Sequence, residues 1–272
     1  SEGRCIQMIN GAVLGSPIAH SLSPLLHAIA YRHCGIQGSY EAIKVGSGEL
    51  SSFIKGTQKN CLSLTMPLKE EALLIADEIS ETAKKISSGN TLFLRNNKWN
   101  LESTDVAGFE YSLKSHGITS LNSILILGAG ATARAAVAYL SGISEKIHVV
   151  TRNTARQASM DSSSSIKIDY LPWGATELIN SADLIINTTP GNAGEDFLPS
   201  VSQPRGVLFE VLYNPWPTKL AQAWSSSGAK VIDGIELLIH QGISQVEIFS
   251  EKSLDRTELH ALMREAALKR LG

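Results

Sequence analysis

Only three cysteines, Cys5, Cys34 and Cys61, stand among the 272 residues; they are scattered and form no CxxC pair. That excludes a disulfide framework and a cysteine-built zinc site, fits a reducing cytoplasmic setting, and leaves the thiols as small core residues. No apolar run reaches the ~20 residues that a membrane span requires. No charged start followed by an apolar stretch and a cleavage site is present, so no signal peptide is expected. Neither sign of charge dominates: 24 Lys and Arg face 26 Asp and Glu, for a net charge of -2. Nucleic acid and anionic membrane are therefore not expected partners, and an anionic small molecule must be held by a local cluster of donors. His20, His27 and His240 lack metal-ligand spacing; structural or surface roles, and no metal, are expected of them. No internal repeat is found.

What is present is enough apolar residue to build a core: 43% hydrophobic against 18% charged, in a length that suits one large domain or two modest ones. The first third mixes strands and helices. Ile6 to Leu14 reads as a strand broken by Gly15-Ser16-Pro17. Ser23-Pro24 reads as an N-cap with proline at the first helical position, opening a helix that stops near Gly35. Tyr40 to Val45 and Cys61 to Thr65 read as strands. Pro67 is expected to open a helix carrying Leu73, Leu74 and Ile75. Thr91 to Arg95 and Trp99 to Glu102 read as a hairpin around Asn96-Asn97.

Near residue 105 the pattern changes. A helix, Val106 to His116, leads into Ser123-Ile124-Leu125-Ile126-Leu127, an apolar run of the length of a fully buried parallel strand. Lys146 to Val150, Asp183 to Asn187, Gly206 to Val211 and Lys230 to Ile232 follow as strands between helical stretches, the pattern of a doubly wound sheet. Ser162 to Ser165 reads as a solvated loop, and Trp173, Trp216 and Trp224 as packing residues. The C-terminal segment is helical. Leu237, Leu238, Val246 and Ile248 lie on one stretch, and Asp255 with Glu258 forms a capping box for another carrying Leu259, Leu262, Met263 and Leu268.

The strand ending at Leu127 runs into Gly128-Ala129-Gly130-Ala131-Thr132-Ala133-Arg134 and then a helix. Strand, glycine turn and helix in that order converge backbone N–H groups and a helix dipole on one point, where a pyrophosphate can sit. Gly128 allows the tight turn and Gly130 the close approach; the alternative is an ordinary small-residue turn. The next strand ends Thr151-Arg152-Asn153, with Arg156 one turn on. The acid that would bind an NAD ribose is absent, and guanidinium groups able to pair with a 2′-phosphate stand there instead. NADP is therefore expected, with Arg152 and Arg156 on the 2′-phosphate and adenine; a solvated surface role is the alternative, more so for Arg156. Asn187-Thr188-Thr189-Pro190, at the end of another buried strand, is expected to line the same crevice.

Five segments, taken in order and spacing, resemble the shikimate dehydrogenase family. They are Gly15 to Pro24, Ser63 to Glu70, Gly89-Asn90-Thr91 with Ser103-Thr104-Asp105, Tyr213 to Thr218, and Gly234 to Gln241; with the glycine loop the match runs from about Gly11 to Gln241. The resemblance implies an α/β fold of two domains: a substrate-binding catalytic domain over residues 1–104 and 236–272, and a Rossmann-type doubly wound NADP-binding domain over 105–235, with the active site in a cleft between them. It implies NADP-dependent reversible reduction of 3-dehydroshikimate to shikimate by a cytoplasmic monomer or homodimer. Ser21 and Ser23 would bind the substrate carboxylate. Thr65, Asn90 and Gln241, with Ser63, would bind ring hydroxyls, and Lys69 with Asp105 would be the catalytic pair. Tyr213 would lie near substrate and nicotinamide, with Leu237 against the nicotinamide and Leu212 and Gly234 among the cofactor contacts.

Read alone, Ser23 is also an N-cap, Lys69 a solvated helix charge, Asp105 an acid favoured by a helix dipole, and Gln241 an interior amide. The chemistry nevertheless asks for such groups, because hydride reaching a ketone carbon leaves charge on oxygen that a cation or proton donor stabilises. Departures from the family pattern are Ser63 and Ser103 where Asn is common, Val106 for Gly, Ser87-Ser88-Gly89 for Gly-Ala-Val, Ala131-Thr132 for Gly-Ala and Leu237 for Met. Three other functions compete: an NAD-dependent quinate/shikimate dehydrogenase, an enzyme like methylene-tetrahydrofolate dehydrogenase, and a non-catalytic NADP-binding paralogue.

Overall fold

Two patterns of buried strand build two six-stranded sheets. The computed structural model describes residues 7–174 and 176–272. Cys5, and Ile6 at the start of the first expected strand, lie outside the described residues. The strands are β1 (Ile9–Gly15), β2 (Gly38–Lys44), β3 (Cys61–Leu64), β4 (Glu78–Ile79), β5 (Thr91–Arg95) and β6 (Lys98–Glu102), then β7 (Leu121–Leu127), β8 (Ser144–Thr151), β9 (Ile168–Pro172), β10 (Leu184–Asn187), β11 (Val207–Glu210) and β12 (Val231–Asp233). The chain divides into two compact units, the described part of Ser1–Gly108 with Leu238–Gly272, and Phe109–Leu237.

The first unit holds the mixed sheet, in the order β2-β1-β3-β5-β6-β4. Parallel β1 and β3 lie inside it, which is why Ala12, Val13, Leu14, Leu62 and Leu64 are buried without the alternation of a half-exposed strand. The hairpin of β5 and β6 turns on Asn96 and Asn97, both at positive φ, where asparagine is tolerated in a two-residue turn. Leu14, Leu50, Leu62, Leu68, Leu92 and Leu101 pack one core cluster, each contributing roughly 1.5–3 kcal/mol on full burial.

The second unit holds an all-parallel sheet, in the order β12-β11-β10-β7-β8-β9. Counted from β7, this is the doubly wound order whose direction reverses between β7 and β10, and ligands bind beyond the strand ends at that point. Leu125, Leu127, Val150, Ile185, Phe197 and Trp224 form its core.

Several expectations are corrected. Pro67 opens only turns and a 3-10 segment, Glu71–Leu74; Leu73, Leu74 and Ile75 are consecutive and cannot share one helix face, and Leu74 is exposed. Ser162 and Ser163 end a helix, Gln157–Ser163, and Ser163 is fully buried, its hydroxyl satisfied by the Ser159 carbonyl to which it donates. Ser23 is the first residue of its helix rather than a side-chain cap, and Ser21 Oγ accepts from the Ser23 N–H instead. Strands β4 and β9 lie at sheet edges, where the apolar signal is weak. The C-terminal helices span Gly234–Ser250 and Arg256–Leu271, the latter capped by Asp255 as expected, although Leu262 and Leu268 face solvent. No described helix is long and apolar enough to cross a membrane.

Candidate active site

Lys69 follows Leu68, whose fully buried side chain anchors the turn after β3 and whose N–H donates to the Thr65 carbonyl. The Lys69 carbonyl accepts from Gly89 N–H, tying this turn to the segment that carries Asn90. Asp105 opens the helix Asp105–Ser115, where its negative charge meets the positive end of the helix dipole. Lys69 Nζ donates to Asp105 Oδ2 at 2.7 Å, with the two side chains 17% and 10% exposed. Withdrawn from water to that degree, the pair is held by more than screened surface attraction.

Asn90, 3% exposed, organises the ring of groups around that pair. Its Oδ1 accepts from Thr104 N–H at 2.8 Å and from Thr91 Oγ1 at 2.9 Å. Because a backbone N–H can only donate, the Thr104 bond fixes which way the Asn90 amide faces. Its Nδ2 therefore points at Thr104 Oγ1 (2.9 Å), Asp105 Oδ1 (3.1 Å) and Gln241 Oε1 (3.2 Å). Gln241 in turn donates from Nε2 to the Leu238 carbonyl. The structure thus brings four expected residues, Lys69, Asp105, Asn90 and Gln241, into one hydrogen-bonded set.

Ser21 and Ser23 lie together at the start of their helix. Thr65 leaves β3 with its N–H on the Leu14 carbonyl, and its methyl lies so close to Gly15 that a Cβ there would sit 2.4 Å from it. Gly15 is therefore required for Thr65 to stand where it does. Ser63 is buried, accepting from Tyr40 Oη and donating to Gln245 Oε1 at 2.7 Å. Neither Tyr40 nor Gln245 was among the site residues expected from the sequence. Gln245 lies one turn beyond Gln241 on the same helix, an i, i+4 spacing that marks one helix face and could have revealed it.

In the second unit the glycine turn has the expected form. Gly128 sits at φ +102, and a Cβ there would lie 2.6 Å from Thr188 Oγ1, so the loops after β7 and β10 meet at the point where the sheet order reverses. The helix Ala131–Leu140 opens from Gly130 without a side-chain cap, leaving its first-turn N–H groups directed at the loop formed by Gly128, Ala129 and Gly130. Thr132 lies in that first turn. Arg156 Nη1 stands 3.8 Å from a Cβ placed on Gly130. Thr151 Oγ1 accepts from Asn153 N–H, and Asn153 caps the short turn leading to Arg156. Arg152 donates to Asp196 Oδ2 at 2.8 Å and lies 4.0 Å over the Trp173 ring.

Asn187 is 1% exposed and committed inward: its Oδ1 takes Thr189 N–H and Oγ1, and its Nδ2 donates to both oxygens of Glu210. Glu210, absent from the sequence expectations, is fully buried at the end of β11; burial raises its pKa, opposed by bonds from Asn187, Thr218 and Leu212 N–H. Its signal was a single acid inside the apolar run from Val207 to Leu212. Pro190 follows Thr189 at the loop's exit, and Gly234, where a Cβ would meet the Val211 carbonyl at 1.9 Å, begins the helix that carries Leu237. Tyr213 follows Leu212, and burial holds its phenol above the usual range, so it stays protonated.

A model of the shikimate dehydrogenase substrate-binding domain matches residues 13–92. The NADP(+) shikimate dehydrogenase of Methanothrix thermoacetophila is 34% identical over 271 residues, spanning 96% of this chain and 98% of its own. The crystal structure of Mycobacterium tuberculosis shikimate dehydrogenase superposes with a TM-score of 0.84 at 34% identity, over 95% of this chain and 99% of that one. The Thermus thermophilus shikimate 5-dehydrogenase, solved in complex with NADP(H) and shikimate, gives 0.82 at 29% identity, over 95% of this chain and 100% of that one. A relative 34% identical across nearly the whole length, with the paired folds just described, shows that the chain belongs to the shikimate dehydrogenase family.

Proposed function

We propose that this chain catalyses the NADP-dependent, reversible reduction of 3-dehydroshikimate to shikimate, a step toward chorismate and the aromatic amino acids. The observation that carries it is the Lys69–Asp105 pair at 2.7 Å, with Asn90 donating to the second Asp105 oxygen. As the carbonyl π bond opens, charge grows on the ketone oxygen. The Lys69–Asp105 pair stabilises that charge and delivers the proton that completes the hydroxyl; in the oxidising direction it takes the proton back. Ser21 Oγ already accepts from Ser23 N–H, which leaves its own proton for the substrate carboxylate, with Ser23 beside it. Thr65, Asn90 and Gln241 are assigned to the ring hydroxyls.

The second unit fits NADP: a glycine at positive φ, an uncapped helix start and two arginines, with no acid among Thr151, Arg152 and Asn153. The Gly128–Thr132 loop would hold the pyrophosphate and Arg152 with Arg156 the 2′-phosphate, while the bound NADPH supplies the hydride.

The test is absorbance at the reduced-nicotinamide band with shikimate, run with NADP and with NAD and repeated with quinate. Turnover with shikimate and NADP, abolished in Lys69→Ala while NADP binding survives, is expected. Equal rates with NAD would overturn the arginine assignment. Turnover of quinate alone would overturn the substrate, and silence in every pairing would leave a non-catalytic nucleotide-binding protein.

A further inference from the structure

The hydrogen bonds around Asn90 continue beyond it, and all of them run one way. Tyr40 Oη donates to Ser63 Oγ, and Ser63 Oγ donates to Gln245 Oε1 at 2.7 Å. Gln245 Nε2 donates to the Asn90 carbonyl at 2.8 Å and to Thr91 Oγ1 at 3.0 Å. Thr91 Oγ1 donates to Asn90 Oδ1, and Asn90 Nδ2 to Asp105 Oδ1. The direction is dictated by chemistry. A carbonyl only accepts, so the Asn90 carbonyl requires the amino end of Gln245. That end then occupies a lone pair of Thr91, whose single proton is left for Asn90. The opposite end of Gln245 must accept, which takes the one proton of Ser63 and leaves Ser63 to accept from Tyr40. Ser63, Asn90, Thr91 and Gln245 are each no more than 4% exposed, so water does not compete for these bonds.

We infer that Gln245 is a positioning residue for the reaction: through Thr91 it adds to the Thr104 N–H in holding the Asn90 amide with its donors aimed at Asp105 and Gln241, and Ser63 serves this relay. The inference rests on the assignment of Lys69 and Asp105 as the catalytic pair. It gives a reason for serine at position 63: a hydroxyl both accepts from Tyr40 and passes its proton to Gln245, so it has none left to donate to a substrate. Hydrogen bonds aligned in series polarise one another, so breaking one near the middle weakens the links that follow.

The experiment is a double-mutant cycle between Gln245 and Thr91, read as kcat and KM for shikimate with NADP. Gln245→Glu presents an acceptor where Thr91 now meets a donor, which draws the Thr91 proton away from Asn90. Thr91→Val removes that proton at nearly constant volume, and Thr91→Ser restores it. Expected are a fall of tenfold or more in kcat for Gln245→Glu and for Thr91→Val, with KM changed less. The double variant should lose little beyond the worse single, and Thr91→Ser should lose less than threefold. Thermal melts establish that each variant is folded; if Gln245→Glu is not, the Thr91→Val and Thr91→Ser contrast decides alone. Fold losses that multiply in the double variant, or equal losses in Thr91→Val and Thr91→Ser, would overturn the relay. A wild-type protein that does not oxidise shikimate would instead overturn the underlying function.

Discussion

The imidazole of His27 lies flat on the phenol ring of Tyr40, with centroids 3.8 Å apart and planes 12° from parallel. Tyr31 Oη stands 3.1 Å from His27 Nδ1, and the ring is 1% exposed. Burial pushes the His27 pKa down to about 3, so the folded protein holds it neutral. With a folded pKa below the unfolded one, the native state binds fewer protons between those values, and stability is lost as pH falls through about 6.5. Moving from pH 7 to pH 5 should cost roughly 2 kcal/mol from this residue alone. In His27→Gln, urea unfolding should show a correspondingly smaller difference between the two pH values. An unchanged slope would mean that other groups set the acid sensitivity.

The Lys69–Asp105 pair makes a sharper prediction than loss of charge alone. Lys69→Arg keeps the cation but cannot give up a proton near neutral pH, and its planar fork differs in shape from an ammonium. If the pair delivers a proton, Lys69→Arg and Asp105→Asn should each lower kcat by about 10²–10⁴, with smaller effects on the KM for shikimate. Steady-state rates in both directions check this. A Lys69→Arg variant retaining most of its turnover would reduce Lys69 to an electrostatic role.

Glu210 tests the supports of the loop after β10. Burial raises its pKa, so the folded protein takes up a proton there more readily than the unfolded chain does; stability on this account is greatest at low pH and declines as pH rises from the unfolded value through the raised one. Glu210→Gln keeps an acceptor for Asn187 and removes the ionisation, so it should stay within about 1 kcal/mol of wild type and lose less stability as pH rises above the ordinary carboxylate range. Glu210→Leu leaves Asn187 Nδ2 and the Thr218 hydroxyl without their acceptor and should cost about 2–4 kcal/mol. Equilibrium unfolding of both variants separates the outcomes; a Glu210→Leu protein as stable as wild type would remove the network from the account.

Much of this was legible in the sequence because the relevant signals were local. The glycine turn announced itself as Leu127 running into Gly128 and a helix, and Asn96-Asn97 as a hairpin, since backbone conformation there depends on a few adjacent residues. The Lys69–Asp105 pair was legible only by resemblance. Nothing in the 36-residue separation dictates that these side chains meet. Tyr40, Gln245 and Glu210 were missed for a related reason: their roles lie in buried bonds between distant segments, such as the 182-residue step from Ser63 to Gln245. Pro67 misled because a proline after a strand resembles a helix start, whereas the three apolar residues behind it lacked helical spacing.

Arg152 makes the cofactor prediction quantitative. Its guanidinium is paired with Asp196 at 2.8 Å while stacked over Trp173, which itself donates to Asp196 at 2.7 Å. Both ion-pair side chains are more than half exposed, at 60% and 52%, and such a pair is worth at most about 1 kcal/mol. A 2′-phosphate offering paired, charge-assisted bonds should displace Asp196 readily. Arg152→Ala should therefore raise the KM for NADP tenfold or more, in keeping with about 1.5–3 kcal/mol for bonds to a charged group, and leave the KM for NAD nearly unchanged. Asp196→Ala, freeing the guanidinium, should lower the KM for NADP by no more than about fivefold, the equivalent of the exposed pair. Parallel titrations of the two nucleotides decide between the arginines: if Arg156→Ala alone carries the NADP preference, the phosphate sits beside Gly130 and the Arg152–Trp173 stack belongs to the surface.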